Sequence, residues 1–493
     1  MLKRINNKLL IIFGIALLLR VVGIKHGFPF IFHPDEPTVV RSALGIRFFP
    51  NPEHFDWPHL YIYLNYILYM VFARFRSVVA LVGLKPLISK AFPLIWNDNL
   101  VFYLVTRLFS AFLGALTVIP VYLTSKFLFN KRAGLVAALA FAAIPFHVWH
   151  SHYSLPDVPM VFFLAYGLYF SVRILRESNP VNYVLAGLFI GFAASTKYNG
   201  GLCALVVPLA HVFRVLGEKR QRFLDWAHLR NLIYAGLFSV IGFVIGTPYS
   251  IFDFKTFSRT DGPKGAFWQF TNVGSVGLSE HFHRFFSSLV IKISENTGFT
   301  LLAVFVFVFI ISVVKLVKNG LEKKDHPVWL LLISAVVLLW YISGFEKNRS
   351  QYYMISYPFI AVVFSYFCTL LVDKFGRRFG NFVVLVLLIP PLLMSVRNVY
   401  IYLRDDTRIQ FYKWGVEEFK EQDQLIYDNS TLGQVLNRLP VNYYRGEKYI
   451  SVFESAYLVS SNNNFDPYGQ LVFTASNYLR KGPNIKVYKI NRQ

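Results

Sequence analysis

The residues best suited to chemistry are acids and bases at the ends of apolar runs. Asp35 and Glu36 stand side by side in "FPFIFHPDEPTVV", residues 28–40, framed by Pro34 and Pro37. Proline fixes φ near −65° and restricts its neighbour, so this pair reads as held rather than loose. Asp157 opens an apolar run in "SLPDVP". That pattern also suits a helix start, so a cap and a functional acid compete for it. Lys197 closes another run in "ASTKYNGG", where a lysine usually snorkels to the interface. Arg20 and Arg107 lie within apolar runs. An arginine buried in a bilayer costs roughly 3 kcal/mol or more, so each needs a partner or a job. Pairing with an acid of the first loop is the plain job, and binding phosphate the functional one. Arg349 sits with Glu346 and Lys347 in "GFEKNRSQYY". A positioned carboxylate can take the proton of an acceptor hydroxyl. Nearby cations can stabilise the charge that grows on a phosphate leaving group.

His147, His150 and His152 in "FHVWHSHYSLPD", with His33 and Asp35, raise a metal reading. The spacing fits no standard zinc pattern, and an interfacial histidine cluster is the plainer account. A divalent metal on Asp35, His33 or Asp157 stays open; no other cofactor is indicated. H-E-x-x-H, the Walker loop and G-x-S-x-G are absent from the sequence. The two cysteines, Cys203 and Cys368, both lie in apolar segments, so no disulfide framework is indicated.

The elements that carry these residues are membrane helices. Of 493 residues, 55% are hydrophobic and only 16% charged, against about a quarter charged in soluble domains. Several apolar runs approach the roughly 20 residues that span a bilayer. The net charge of +23 gathers between these runs, in "NKR" at 130, "EKRQR" at 218, "EKK" at 322 and "DKFGRR" at 373. That is the positive-inside pattern of a membrane protein rather than a nucleic-acid footprint. The basic, then apolar, start of the chain reads as an uncleaved signal anchor.

Parity then sets the threading. A first crossing over 8–24 runs outward and leaves "HPDE" outside, while "NKR" at 130 must be inside. Of the two apolar runs between, 100–128 crosses. The run 60–82, Tyr-rich and broken by Arg74 and Arg76, lies in the outer leaflet. The first external loop is thus about 25–99, with juxtamembrane helices. Crossings follow near 133–149, 156–174, 181–196, 199–216, 232–248, 298–318, 328–345, 352–372 and 381–396, about eleven in all. This defines an α-helical polytopic module over 1–396. An external soluble α/β domain over 397–493 follows, with an amphipathic helix and strands between Asn/Asp/Gly turns. Asp35, Glu36, Asp157, Lys197 and Arg349 all fall at the outer face.

The ordered set resembles the GT-C glycosyltransferases, in the branch of the protein O-mannosyltransferases and the lipid A aminoarabinose transferase. "HPDE" after the first helix is followed by "RLFSAFLGALTVIPVYLTSKFLFNKRAGLVAALAFAAIPFHVWHSHYSLPDVPMVFF". Then come "AGLFIGFAASTKYNGGL", "GTPYSIFD" and "EKNRSQYYMISYPFIAVV". The resemblance spans about residues 8–400. It implies an enzyme of the cell membrane that takes a hexosyl or pentosyl group from a polyprenyl-phosphate carrier. The acceptor is a lipid, glycan or protein hydroxyl on the extracytoplasmic side, and transfer is usually with inversion. By position, Asp35 matches the first-loop catalytic acid, Glu36 its neighbour, Asp157 the second acid and Lys197 a phosphate-holding lysine. The Lys-Pro-Pro element of the aminoarabinose transferases is replaced here by "FDWPHLYIYL", with Trp57 for the lysine. Phosphate binding is left to Lys197, Arg107 or Arg349. The alternative is a flippase, or a polymerase or ligase, of polyprenyl-linked glycans. A flippase would place ionisable groups near the midplane and often shows repeats; no repeat is visible here.

Overall fold

A computed structural model of the protein describes residues 7–177, 179–217, 226–428, 430–461 and 469–491. The first six residues and the basic cluster at 218–222 lie outside the described residues. The chain forms two compact units, one of residues 1–21 and 38–396, the other of 22–37 and 397–493.

The first unit is helical. Its longer helices are α1 (Asn7–Val21), α2 (Glu36–Gly45, whose first two residues fall in the other unit), α3 (Leu60–Leu81), α4 (Val101–Leu116), α5 (Val118–Leu128) and α6 (Lys131–Ala142). They continue with the short α7 (Pro145–His150), then α8 (Asp157–Ile174), α9 (Pro180–Thr196), α10 (Val206–Leu216) and α11 (Trp226–Gly246). The last are α12 (Phe299–Asn319), α13 (His326–Ser343), α14 (Tyr357–Phe375) and α15 (Arg377–Leu403, whose residues from 397 on fall in the other unit). Each of the eleven expected crossings falls on helix. Among the described residues, nine helices are long and apolar enough to cross a membrane. Eight coincide with expected crossings. Three expected crossings are shorter: α1, α6 and α9 have 15, 12 and 17 residues. In α6 the cause is Pro145: Ile144 before it is extended, at ψ 115°, and a new turn starts.

The ninth is α3, whose length allows a crossing that hydropathy and parity did not assign to it. Several of its polar contacts reach α4 and the stretch before it, in reverse order along the chain. Tyr61 Oη lies 2.7 Å from Ser110 Oγ, Tyr69 hydroxyl bonds Thr106, and Arg76 pairs with Asp98. The two helices therefore run antiparallel.

Small residues bring the helices behind the acids into close contact. A Cβ on Gly187 would stand 2.2 Å from the carbonyl oxygen of Ala235, and one on Gly191 would stand 2.2 Å from that of Ser239. Glycines four apart on α9 thus let its backbone touch that of α11, the usual small-residue route to helix association in membranes. Ser239 Oγ adds a 3.1 Å bond to the carbonyl of Gly187.

The second unit holds a five-stranded mixed sheet in the order β2-β1-β3-β5-β4. The strands are β1 (Gln424–Tyr427), β2 (Asn442–Arg445), β3 (Ser455–Ser460), β4 (Gln470–Ala475) and β5 (Ile485–Asn491). β1 is parallel to β2 and β3; β5 is antiparallel to β3 and β4. A further helix, α16 (Thr407–Glu418), covers one face through Ile409 and Phe411. Residues 22–37 join this unit because Phe30 is buried in the same core. The guanidinium of Arg408 lies 3.6 Å from the Phe32 ring centre and that of Arg438 4.7 Å from Phe30. The stretch ahead of the acids is thereby anchored on the C-terminal residues, which hydropathy had set apart from them.

The α9–α11 contact yields a prediction. Gly191→Val must push two backbones apart, so it should cost about 1–3 kcal/mol, the usual price of overpacking. The protein's thermal unfolding in detergent should fall accordingly, and Gly236→Ala, at an α11 glycine with open space, should not change it.

Candidate active site

Two elements end at one point. α8 begins at Asp157 and α9 ends at Thr196, leaving Lys197 as its C-cap in extended backbone, φ −154°. The Asp157 side chain does not cap its helix; the N-cap position is Pro156 and makes no side-chain bond. The carboxylate instead bonds Lys197 Nζ through Oδ1. The capping reading of Asp157 therefore gives way to an ion pair, because the lysine offers a charged partner that backbone amides cannot match. Snorkelling does not describe Lys197 either, since its side chain is only 16% exposed and that of Asp157 3%. Asp157 also sits in the first turn of α8, where the helix dipole favours a negative charge.

His150 stands on the other oxygen. Its Nε2 lies 3.3 Å from Asp157 Oδ2, a close contact without good hydrogen-bond alignment. The three histidines do not form a cluster. His147 Nδ1 meets Arg20 at 3.0 Å, and His152 Nδ1 meets the carbonyl of Val148 at 2.9 Å. All three are buried. Arg20 also donates to the carbonyls of Ala16 and Ala142, at 2.9 and 3.3 Å. Its job is to tie α1 to the α6–α7 corner. Among the described residues, no group of three or more His, Cys, Asp or Glu could hold a metal ion.

Arg107 is buried on α4, one turn from Tyr103 and Ser110. The Tyr103 carbonyl accepts from Ser154 Oγ, and Ser110 Oγ donates to the Leu155 carbonyl, both at 3.4 Å. Arg107 thus lies on the helix that backs the Asp157 turn. Arg349 is exposed and precedes the short 3-10 helix Ser350–Ser356. Lys197 Nζ lies 5.5 Å from the ring centre of Tyr352 in that helix. Sequence reasoning missed Tyr352 and Asn199. Both amide atoms of Asn199 are buried without a hydrogen-bond partner, two residues from Lys197. A buried carboxamide left so calls for an explanation. The "KYNGG" turn was the available signal for it.

Asp35 and Glu36 belong to the second unit. The Asp35 amide donates to His33 Nδ1 at 3.2 Å and the Glu36 amide to the His33 carbonyl at 3.4 Å. The pair is held by its own turn, as the prolines suggested. Glu36 is fully buried at the start of α2, whereas Asp35 is half-buried.

Comparison with known proteins bears on this geometry. The structure of the Archaeoglobus fulgidus oligosaccharyltransferase aligns over 99% of this chain and 73% of its own, with TM-score 0.52 and 15% identity. That of ArnT from Cupriavidus metallidurans aligns over 97% of both chains, with TM-score 0.51 and 14% identity. The chain has the GT-C fold. In this GT-C chain, residues 86–245 also match the family described as dolichyl-phosphate-mannose-protein mannosyltransferase. Arg107, Asp157 and Lys197 fall inside that match; Asp35, Glu36 and Arg349 fall outside it. The Saccharomyces cerevisiae dolichyl-phosphate-mannose–protein mannosyltransferase 1 is 30% identical over 159 residues, 30% of this chain. The lipopolysaccharide core galacturonosyltransferase RgtB of Rhizobium johnstonii is 24% identical over 270 residues, 52% of this chain. The matches span 19% and 50% of those two relatives' lengths.

The ion pair makes a stability prediction. Lys197→Ala leaves a buried carboxylate unpaired and should cost roughly 3–5 kcal/mol. The double variant Asp157→Leu/Lys197→Met should be more stable than Lys197→Ala, as read by thermal unfolding in detergent.

Proposed function

We propose that this chain transfers a sugar from a polyprenyl-phosphate carrier to a hydroxyl acceptor at the extracytoplasmic face of the cell membrane. One observation carries the reading. The buried Asp157–Lys197 pair lies at helix ends of a GT-C fold, inside the stretch that matches the mannosyltransferase family. A related fold, the Archaeoglobus AglB oligosaccharyltransferase, is described in complex with a dolichol-phosphate; it aligns over 92% of this chain with TM-score 0.51.

The chemistry follows from the groups. A lipid phosphate leaves already charged and needs cations rather than a general acid. Lys197 is the cation in place, with Arg107 and Arg349 as further phosphate ligands. Asp157 holds Lys197 in position before the donor arrives. When a phosphate approaches, the ammonium can serve both anions, because three protons are available on Nζ. Asp35 takes the proton of the acceptor hydroxyl, and Glu36, buried at the start of α2, fixes the turn that presents it. Asn199 bonds donor oxygens. The partners are thus a lipid-linked sugar, a lipid, glycan or protein acceptor, and the membrane lipids.

The test is transfer by the purified full chain from a panel of dolichyl- and undecaprenyl-phosphate sugars, with mannose, galacturonate and aminoarabinose among them. Asp35→Asn should keep donor binding and lose about 10²–10⁴-fold in kcat. Near-normal turnover in that variant would remove Asp35 from the proton-transfer role. Assays with and without a chelator decide whether a divalent ion joins Asp35, His33 or Asp157.

A further inference from the structure

The segment between α11 and α12 carries a helix, Leu278–Ser288, whose side chains divide into three faces. Leu278, Phe282 and Phe286 recur at about one-turn spacing, so they form a stripe along the helix. All three are exposed, by 69%, 50% and 61%. Ser279, Glu280 and His283 form a second exposed face, which is polar. The third face turns inward. The His281 ring stacks on Trp340 with centroids 4.0 Å apart, and its Nε2 donates to the Trp340 carbonyl at 2.7 Å. Phe285 meets the same indole edge-on at 5.3 Å, and Ser288 is buried. Phe282 borders this face, its ring 4.8 Å from Trp340.

The depth of this helix follows from what it packs on. Trp340 lies in the last turn of α13, which belongs to a candidate membrane span ending at Ser343. Trp and Tyr favour the membrane–water boundary, and Tyr341 beside it is exposed. A helix packed on that end of α13 therefore sits at boundary depth. The apolar stripe does not stop with the helix. It runs on through Val290 and Ile291 to Phe299, Phe307 and Ile310 on α12, all exposed. α12 is itself a candidate span, so lipid covers those side chains. An apolar face continuous with a lipid-covered one, and bordered by polar side chains, is the pattern of a helix lying in the membrane plane.

The same helix fastens a neighbouring stretch. Arg284 pairs with Glu280 at 2.6 Å and donates through Nη1 to the carbonyls of Phe345 and Glu346, each at 3.0 Å. Lys292, in the π-helical turn Leu289–Ile293 that follows, bonds the Asn348 carbonyl through Nζ. Asn348 Nδ2 donates to Ser288 Oγ at 3.1 Å. A cation on a backbone carbonyl makes a charge-assisted bond, stronger than a neutral one. Residues 345–348 are thus held by the helix and its following turn. They lead directly into Arg349 and the 3-10 helix Ser350–Ser356, where Tyr352 faces Lys197.

We propose that the helix Leu278–Ser288 lies in the membrane surface on the Lys197 side of the bundle, with Leu278, Phe282 and Phe286 among lipid acyl chains, and that it fixes the depth of residues 345–349. The partner is the bilayer itself. Apolar insertion seats the helix, since Glu280 is paired with Arg284 while Arg284 and Lys292 are engaged with carbonyls. Membrane seating of this helix does not depend on sugar transfer.

The experiment is nitroxide accessibility in the full chain in phosphatidylcholine nanodiscs, with one label each at Leu278→Cys, Ser279→Cys, Phe282→Cys, His283→Cys and Phe286→Cys. The native Cys203 and Cys368 are buried, and the unaltered chain is the labelling control. Labels at 278, 282 and 286 should be reached by oxygen, which partitions into lipid, and shielded from a water-soluble nickel chelate. Labels at 279 and 283 should show the reverse, with the oxygen-to-nickel ratio several-fold lower. The replaced side chains are all exposed, and each face is read at two or more positions, so one variant that fails to purify leaves the comparison intact. Equal access of the nickel chelate to both faces overturns the seating and makes the segment a water-exposed loop. Shielding of 282 and 286 from both reagents overturns it in favour of a protein partner, such as a second copy. A label at Lys347→Cys tests the fastening. Arg284→Ala and Lys292→Met should each speed its motion and leave the ratios at 282 and 286 unchanged. Unaltered motion in both variants overturns the fastening.

Discussion

The Asp157–Lys197 pair is the constraint on which the first unit turns. Two opposite charges taken from water must meet with good geometry, or the desolvation cost is not recovered. That requirement fixes where α8 starts, where α9 stops and how far the two may slide. The close backbone contacts of Gly187 and Gly191 serve the same end, because α9 can be held only if its other face rests on α11. Gly200, whose Cβ would stand 2.6 Å from the carbonyl oxygen of Ala193, lets the chain fold back past the end of α9. Packing thus supplies the rigidity, and the ion pair decides the register.

The acidic turn is built on different physics. Asp35 and Glu36 are positioned by their own prolines, by His33 and by a helix start. The residues before them are anchored by aromatic burial and by guanidinium groups laid over Phe30 and Phe32. Arg408 is itself oriented by Asp406, which accepts two side-chain bonds, at 2.8 and 2.7 Å, and caps α16. The C-terminal residues are therefore part of the apparatus that shapes the acidic turn, and their mutation would reach it through Phe32.

Much of this was legible in the sequence, and the limits have physical causes. Hydropathy located the helices because bilayer span and apolar length are tied together. It could not see that α6 stops short, since Pro145 acts through backbone sterics while leaving the apolar run intact. It assigned α3 by parity and Tyr content, whereas its length alone permits a crossing. Asp157 and Lys197 were legible as polar residues at helix ends, but not as a bonded pair, because contact across 40 residues is a tertiary fact. The histidines looked like one cluster from spacing alone. In three dimensions they point to Arg20, Asp157 and the Val148 carbonyl. Residues 22–37 were assigned to the membrane module because chain adjacency is all a sequence offers; burial of Phe30 places them in the other unit.

Two kinds of acid can now be separated. Asp157 is buried and paired with Lys197. Asp35 is half-buried, at the tip of a turn that uses its amide and leaves its carboxylate for other work. Burial and pairing set the two aspartates apart, a difference that their bare presence in the sequence did not show.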